Sequence, residues 1–107
     1  MSEDERAYVV LMRVHLFFPE AGSLKGKRAE LNRVKAFLRE RLHTSVAEIG
    51  HQQSWQRSTL AVAIAARSAA LAQDTVDTVQ RALDGRFPQG VRVEYRLASW
   101  SDLESLG

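Results

Sequence analysis

Residues 60–65 read Leu-Ala-Val-Ala-Ile-Ala, a strict alternation of large and small apolar side chains. Only an extended strand satisfies a period of two, because its successive side chains point to opposite faces. Leu60, Val62 and Ile64 form one face suited to filling a core, and Ala61, Ala63 and Ala65 form a low face suited to close packing. The pattern predicts a strand over 57–66, half of it against a packed layer.

The flanking sequence supplies that layer. Tyr8 to Phe18 is an apolar run interrupted only by Arg13 and His15, which are two apart and so share a strand face. Pro19 to Gly22 breaks the run, and Ser23 is placed to cap a helix reaching about Leu42, with Leu24, Leu31, Val34, Leu38 and Leu42 as its apolar stripe. Thr44 to Gly50 reads as a second strand, and HQQSWQ as the connection into the alternating strand. Ser68 caps a second helix ending near Asp84, with Leu71 or Ala72, Val76, Val79 and Leu83 inward and Gly85 as its stop. A last strand alternates Val91, Val93, Tyr95 and Leu97 with Arg92, Glu94 and Arg96.

The order β-α-β-β-α-β predicts an α+β, ferredoxin-like fold: a four-stranded antiparallel sheet with two helices on one face. A chain of 107 residues accommodates one such domain, with 1–6 as a loose N-terminus and 98–107 as a C-terminal tail. The tail carries Trp100, either packed back on the sheet or offered to a partner.

The absence of cysteine excludes disulfide staples, thiolate nucleophiles and cysteine zinc sites, and fits a cytoplasmic protein. MSEDER followed by a run broken by Arg13 and His15 matches neither a signal peptide nor a membrane span, so no membrane partner is expected. GSLKGKR, residues 22–28, follows a strand and opens a helix as a phosphate-binding loop does, but it has three residues between its glycines and Arg28 where a Ser or Thr would reach magnesium. His15, His43 and His51 are scattered over a strand, a helix end and a loop, without the spacing of a metal site. With no partnered nucleophile or carboxylate pair, the expectation is a protein that is not an enzyme, with no metal, cofactor or small-molecule substrate.

The cations are better organised. Lys25, Arg28, Lys35 and Arg39 fall in one stripe of the first helix with Asn32, and at 1.5 Å rise per residue they span roughly 20 Å. Such a ridge, with Lys27 beside it, could track the phosphates of a structured RNA. The second helix carries Asp74, Asp77 and Asp84 with Arg81, so the two helices differ in sign. The open sheet face is expected to present Arg13, His15, Ala61, Ala63, Ala65, Arg92, Glu94 and Arg96, with no stacking aromatics on the central strands.

In HQQSWQRST, residues 51–59, Trp55 has two readings. It covers the rim of the core, with Arg57 paired to Glu48 or to a carbonyl across the turn, or it forms with Arg57 an exposed pair of the residue types enriched at binding hot spots.

PEAGSLKGKR, SVAEIG and WQRSTLAVA, in this order over nearly the whole chain, resemble the bacterial YlxP-like family of unknown function. The resemblance implies a ferredoxin-like fold and genes often found beside those for a translation initiation factor and a ribosome-binding maturation factor. It assigns no chemistry, and marks Ser23, Leu24, Lys25, Lys27, Arg28, Glu48, Trp55, Gln56 and Arg57 as motif positions only. The chain departs from the family at Gly26, usually acidic there, which implies a frayed helix start, and at Gln53 and Ser54, where Asp and an apolar residue usually stand. The expectation is an accessory factor binding ribosomal subunits or structured RNA through Lys25, Lys27, Arg28, Lys35 and Arg39, assisted by Trp55 and Arg57. The alternative is a protein-interaction or homo-oligomerisation module using Arg13, His15, the three alanines and Trp100.

Overall fold

The computed structural model describes residues 5–107. Its elements are β1 (Tyr8–Phe17), α1 (Leu24–Glu40), β2 (Ser45–Gly50), β3 (Arg57–Ala66), α2 (Ala69–Arg86), β4 (Val91–Ser99) and a short α3 (Trp100–Glu104). The strands form one sheet in the order β2-β3-β1-β4, each pair antiparallel, which is the ferredoxin-like arrangement. Part of the loose N-terminus expected over 1–6, namely 1–4, lies outside the described residues.

Register fixes what each face carries. Val10, Met12, Val14 and Leu16 of β1 lie beside Leu60, Val62 and Ile64 of β3, and all are buried against Leu31, Val34 and Leu38 of α1 and Ala72, Val76, Val79 and Leu83 of α2. Burying a large aliphatic side chain contributes roughly 1.5–3 kcal/mol, so this two-layer cluster holds the fold. The other parity of the same strands faces away from the helices. Its cross-strand rows read Thr59-His15-Arg92, Ala61-Arg13-Glu94 and Ala63-Leu11-Arg96.

Four local expectations change. Gly85 does not stop α2. The helix runs to Arg86 because Phe87 is drawn into the core, its N–H donating to the Leu83 carbonyl at 2.8 Å and its ring meeting Phe18 edge-on at 5.3 Å. Gly90, at φ +143°, takes the turn instead. The tail expected over 98–107 is part of the fold: Ala98 and Ser99 belong to β4, and Ser99 with Asp102 makes a reciprocal capping box that starts α3. It does not cover the sheet, since the Trp100 N–H donates to the Ala7 carbonyl at 2.9 Å while its side chain stays exposed. Finally, α1 begins properly capped despite Gly26, because Ser23 Oγ accepts the Gly26 N–H at 3.0 Å.

Candidate nucleic-acid interface

The first-helix ridge is not a free ridge. Lys27 is fully buried, and its Nζ donates to the His51 carbonyl at 2.7 Å. Arg28 and Lys35 both close on Glu48 of β2, Lys35 at 3.0 Å, and Arg39 donates to the Val46 carbonyl at 2.8 Å. The cause is packing: α1 lies beside the edge strand β2, and Glu48, opposite Leu60 in the register, points to the helix side of the sheet. Of the five helix cations assigned to RNA, Arg28 and Lys35 share Glu48 of β2 in a seam between α1 and β2, Lys27 is buried against the loop that follows β2, Arg39 bonds a β2 carbonyl while staying exposed, and Lys25 is exposed.

The electrostatics follow from that seam. Hydrogen bonding to Arg28, and then to Lys35, holds the Glu48 carboxyl below the ordinary glutamate range despite its burial. Arg28 is raised in return, chiefly by Glu48. Burial pushes the Lys27 amine down, opposed by the nearby Glu48 charge.

The seam also orders the HQQSWQ connection. His51 sits at φ +61°, a left-handed backbone, and its carbonyl accepts from Lys27 Nζ and from the Ser54 N–H at 3.0 Å. The Phe18 N–H donates to the Gln56 carbonyl at 2.8 Å and Gln56 Nε2 to the Pro19 carbonyl at 3.3 Å, tying the loop to the exit of β1. Trp55 is therefore presented, exposed, by a bonded loop and does not cap the core. Arg57 pairs with neither Glu48 nor a carbonyl across the turn, because its register opposite Phe17 puts it on the open face, away from Glu48. Among the described residues its side chain has no hydrogen-bond or ion-pair partner.

The open face carries an excess of exposed positive charge. Glu94 accepts from Arg13 at 3.0 Å, meets His15 Nε2 at 2.8 Å and lies 3.6 Å from Arg92. The His15 contact first, then Arg13, holds Glu94 below its ordinary value. Arg96 completes the β4 row and Arg57 the β3 row, so four arginines share this face with one carboxylate. Ala61 and Ala63 are half-buried and Ala65 exposed, leaving a low strip beside them.

One aromatic does stand here. Phe17 has the parity of Arg13 and His15 and is 43% exposed, contrary to the expectation of a face without stacking aromatics. Its membership of an apolar run hid it, although its place two residues beyond His15 was legible in the sequence. Trp100 stands apart, at the other end of β4.

Comparisons with known proteins agree with the fold and add no chemistry. The sequence model of a family described as a protein of unknown function, DUF503, matches residues 9–96. The uncharacterized protein YlxP of Bacillus subtilis (strain 168) is 34% identical over 70 residues, covering 65% of this chain and 75% of that protein. The de novo designed protein Foldit4 superposes with a TM-score of 0.54 at 16% identity, covering 86% of this chain and 96% of its own. A crystal structure of 30S ribosomal protein S6 from Thermotoga maritima gives 0.46 at 13% identity, over 92% of this chain and 94% of that one.

Proposed function

Since the chain belongs to the DUF503 family, a family of unknown function, we propose from its surface chemistry that it is a non-enzymatic accessory protein binding structured RNA or ribosomal subunits through its open sheet face. The observation that supports this is the placement of Arg13, Arg57, Arg92 and Arg96 against the single carboxylate of Glu94. Guanidinium groups pair with phosphate in a planar, bidentate way, and a rigid sheet holds them at fixed spacing. We place the binding surface on the sheet and not on the helix ridge because Lys27 is buried and Arg28 and Lys35 share the shielded Glu48, whereas the four arginines of the sheet face are exposed.

The test is co-sedimentation with small and large ribosomal subunits, together with a salt titration of binding to a structured RNA. Four phosphate contacts should give a log–log salt slope of roughly −3 to −4. Arg57→Glu with Arg96→Glu should abolish binding, whereas Lys25→Glu with Arg33→Glu on the outer side of α1 should leave most of it. The opposite ranking would move the surface back to α1.

A second reading, an interface with protein or another copy of the chain, is favoured by the exposure of Trp100, Leu103 and Leu106 at spacings of three. Light scattering would give a mass above that of one chain, reduced by Trp100→Ser with Leu103→Ser. An unchanged single-chain mass in both proteins would remove self-association.

A further inference from the structure

A shallow hollow of about 330 Å³ lies at the end of the open face where β1 leaves the sheet, lined by His15, Leu16, Phe17, Arg57, Gly90, Val91 and Arg92. Its shape follows from where the ladders stop. The β1–β4 pairing ends at Leu16 opposite Val91, whereas the β1–β3 pairing continues to Phe17 opposite Arg57. Phe17 therefore has a ladder partner on one side only, and the hollow lies on its β4 side. Gly90, at φ +143° with open space where a Cβ would stand, leaves that side unfilled.

Two cations line the hollow together with Phe17. The Arg57 guanidinium has no partner among the described residues, and Arg92 reaches Glu94 only at 3.6 Å while remaining well exposed. An exposed aromatic ring and two guanidinium groups lining one hollow match a nucleotide, the base stacking on the ring and the phosphate pairing with the arginines. A bare phosphate would leave Phe17 unused, and a base-paired helix keeps its base faces stacked inside.

Resting on the RNA-binding reading above, we infer that this hollow seats one unpaired nucleotide of an RNA, its base on Phe17 and its backbone on Arg57 and Arg92. The face as a whole supplies charge, and the hollow supplies a preference for single-stranded positions such as loops, bulges and ends.

The experiment titrates the full chain with three labelled probes of equal length: a short oligouridine, the same strand built from abasic units, and a blunt RNA duplex. Wild type should bind oligouridine roughly 5- to 150-fold tighter than the abasic strand, the range that one stacked base provides. Phe17→Leu, which keeps an apolar side chain on an exposed position, should abolish that difference without weakening binding to the abasic strand. Arg57→Gln with Arg92→Gln should weaken both single strands together.

Equal wild-type binding of oligouridine and abasic strand would overturn the hollow while leaving the charged face intact. Undiminished discrimination in Phe17→Leu would do the same. Failure to bind any probe at low salt would overturn both the hollow and the RNA-binding reading. A chain that binds no probe but forms a dimer lost in Phe17→Leu would assign the hollow to self-association.

Discussion

Glu48→Ala should be among the most damaging single substitutions outside the apolar core. The carboxylate is 12% exposed and its partner Lys35 14%, so their pairing is largely shielded from water. Removing one member of a buried pair costs about 3–5 kcal/mol, because the other charge is left desolvated without a counter-ion. Arg28 is 37% exposed and can turn to solvent, so its share is that of a surface pair, about 0–1 kcal/mol. Residual hydration of Lys35 reduces the first figure, and buried Lys27 also loses its compensating carboxylate. The expected loss is about 2–4 kcal/mol. At about 4 °C per kcal/mol for a domain of this size, the melting temperature should fall by roughly 8–16 °C.

Thermal melts followed by circular dichroism, with urea titrations to check that the m-value is unchanged, would measure this. Glu94→Ala is the matched control. Glu94 also draws Arg13, His15 and Arg92, but on the open face, where Arg13 and Arg92 are largely in water. Its loss should move the melting temperature far less. Equal losses for the two variants, or a change of only about a degree at Glu48, would refute the argument that the α1–β2 seam is held by a shielded ion cluster.

Acid should expose the same seam: because the folded-state pKa of Glu48 is depressed, its stabilisation is fully present above the ordinary glutamate value of about 4.3 and is lost as pH falls through the folded value, and Glu48→Gln should flatten that part of a melting-temperature profile. Lys27→Ala deletes a buried stem and leaves the His51 carbonyl short of a donor, so it should cost about 2–4 kcal/mol and speed amide hydrogen exchange through residues 51–56. Gly26→Glu should stabilise the chain by about 1 kcal/mol in urea unfolding, since it restores helix propensity and lets a carboxylate reach back to the Ser23 N–H, provided Ser23 Oγ yields slightly to a Cβ 3.3 Å away. Ser99→Ala removes the cap of α3 and should make its amides exchange faster while leaving the melting temperature nearly unchanged, because α3 contributes no buried side chain.

The fold was legible because its signals are local. The alternation at 60–65, the stripe at Leu31, Val34 and Leu38, and caps at Ser23 and Ser68 each act within a few residues, and the structure repeats them in place. Gly85 misled because a helix stop competes with the residues after it, and burying Phe87 outweighed the glycine.

The surface was a different matter. A helical wheel places Arg28, Lys35 and Arg39 on one flank but says nothing of what packs beside that flank. Glu48 lies 20 residues from Arg28 and 13 from Lys35, and only the docking of α1 along β2 brings them together. Phe17 and Arg57 likewise become neighbours across a ladder whose register is set by the whole sheet. Which elements form, and which face of each is apolar, was written in the order of the residues, since period and capping are short-range. Which charges were shielded and which stayed exposed was decided only when the helices docked on the sheet, because electrostatic partnership depends on separation in space and on exclusion of water.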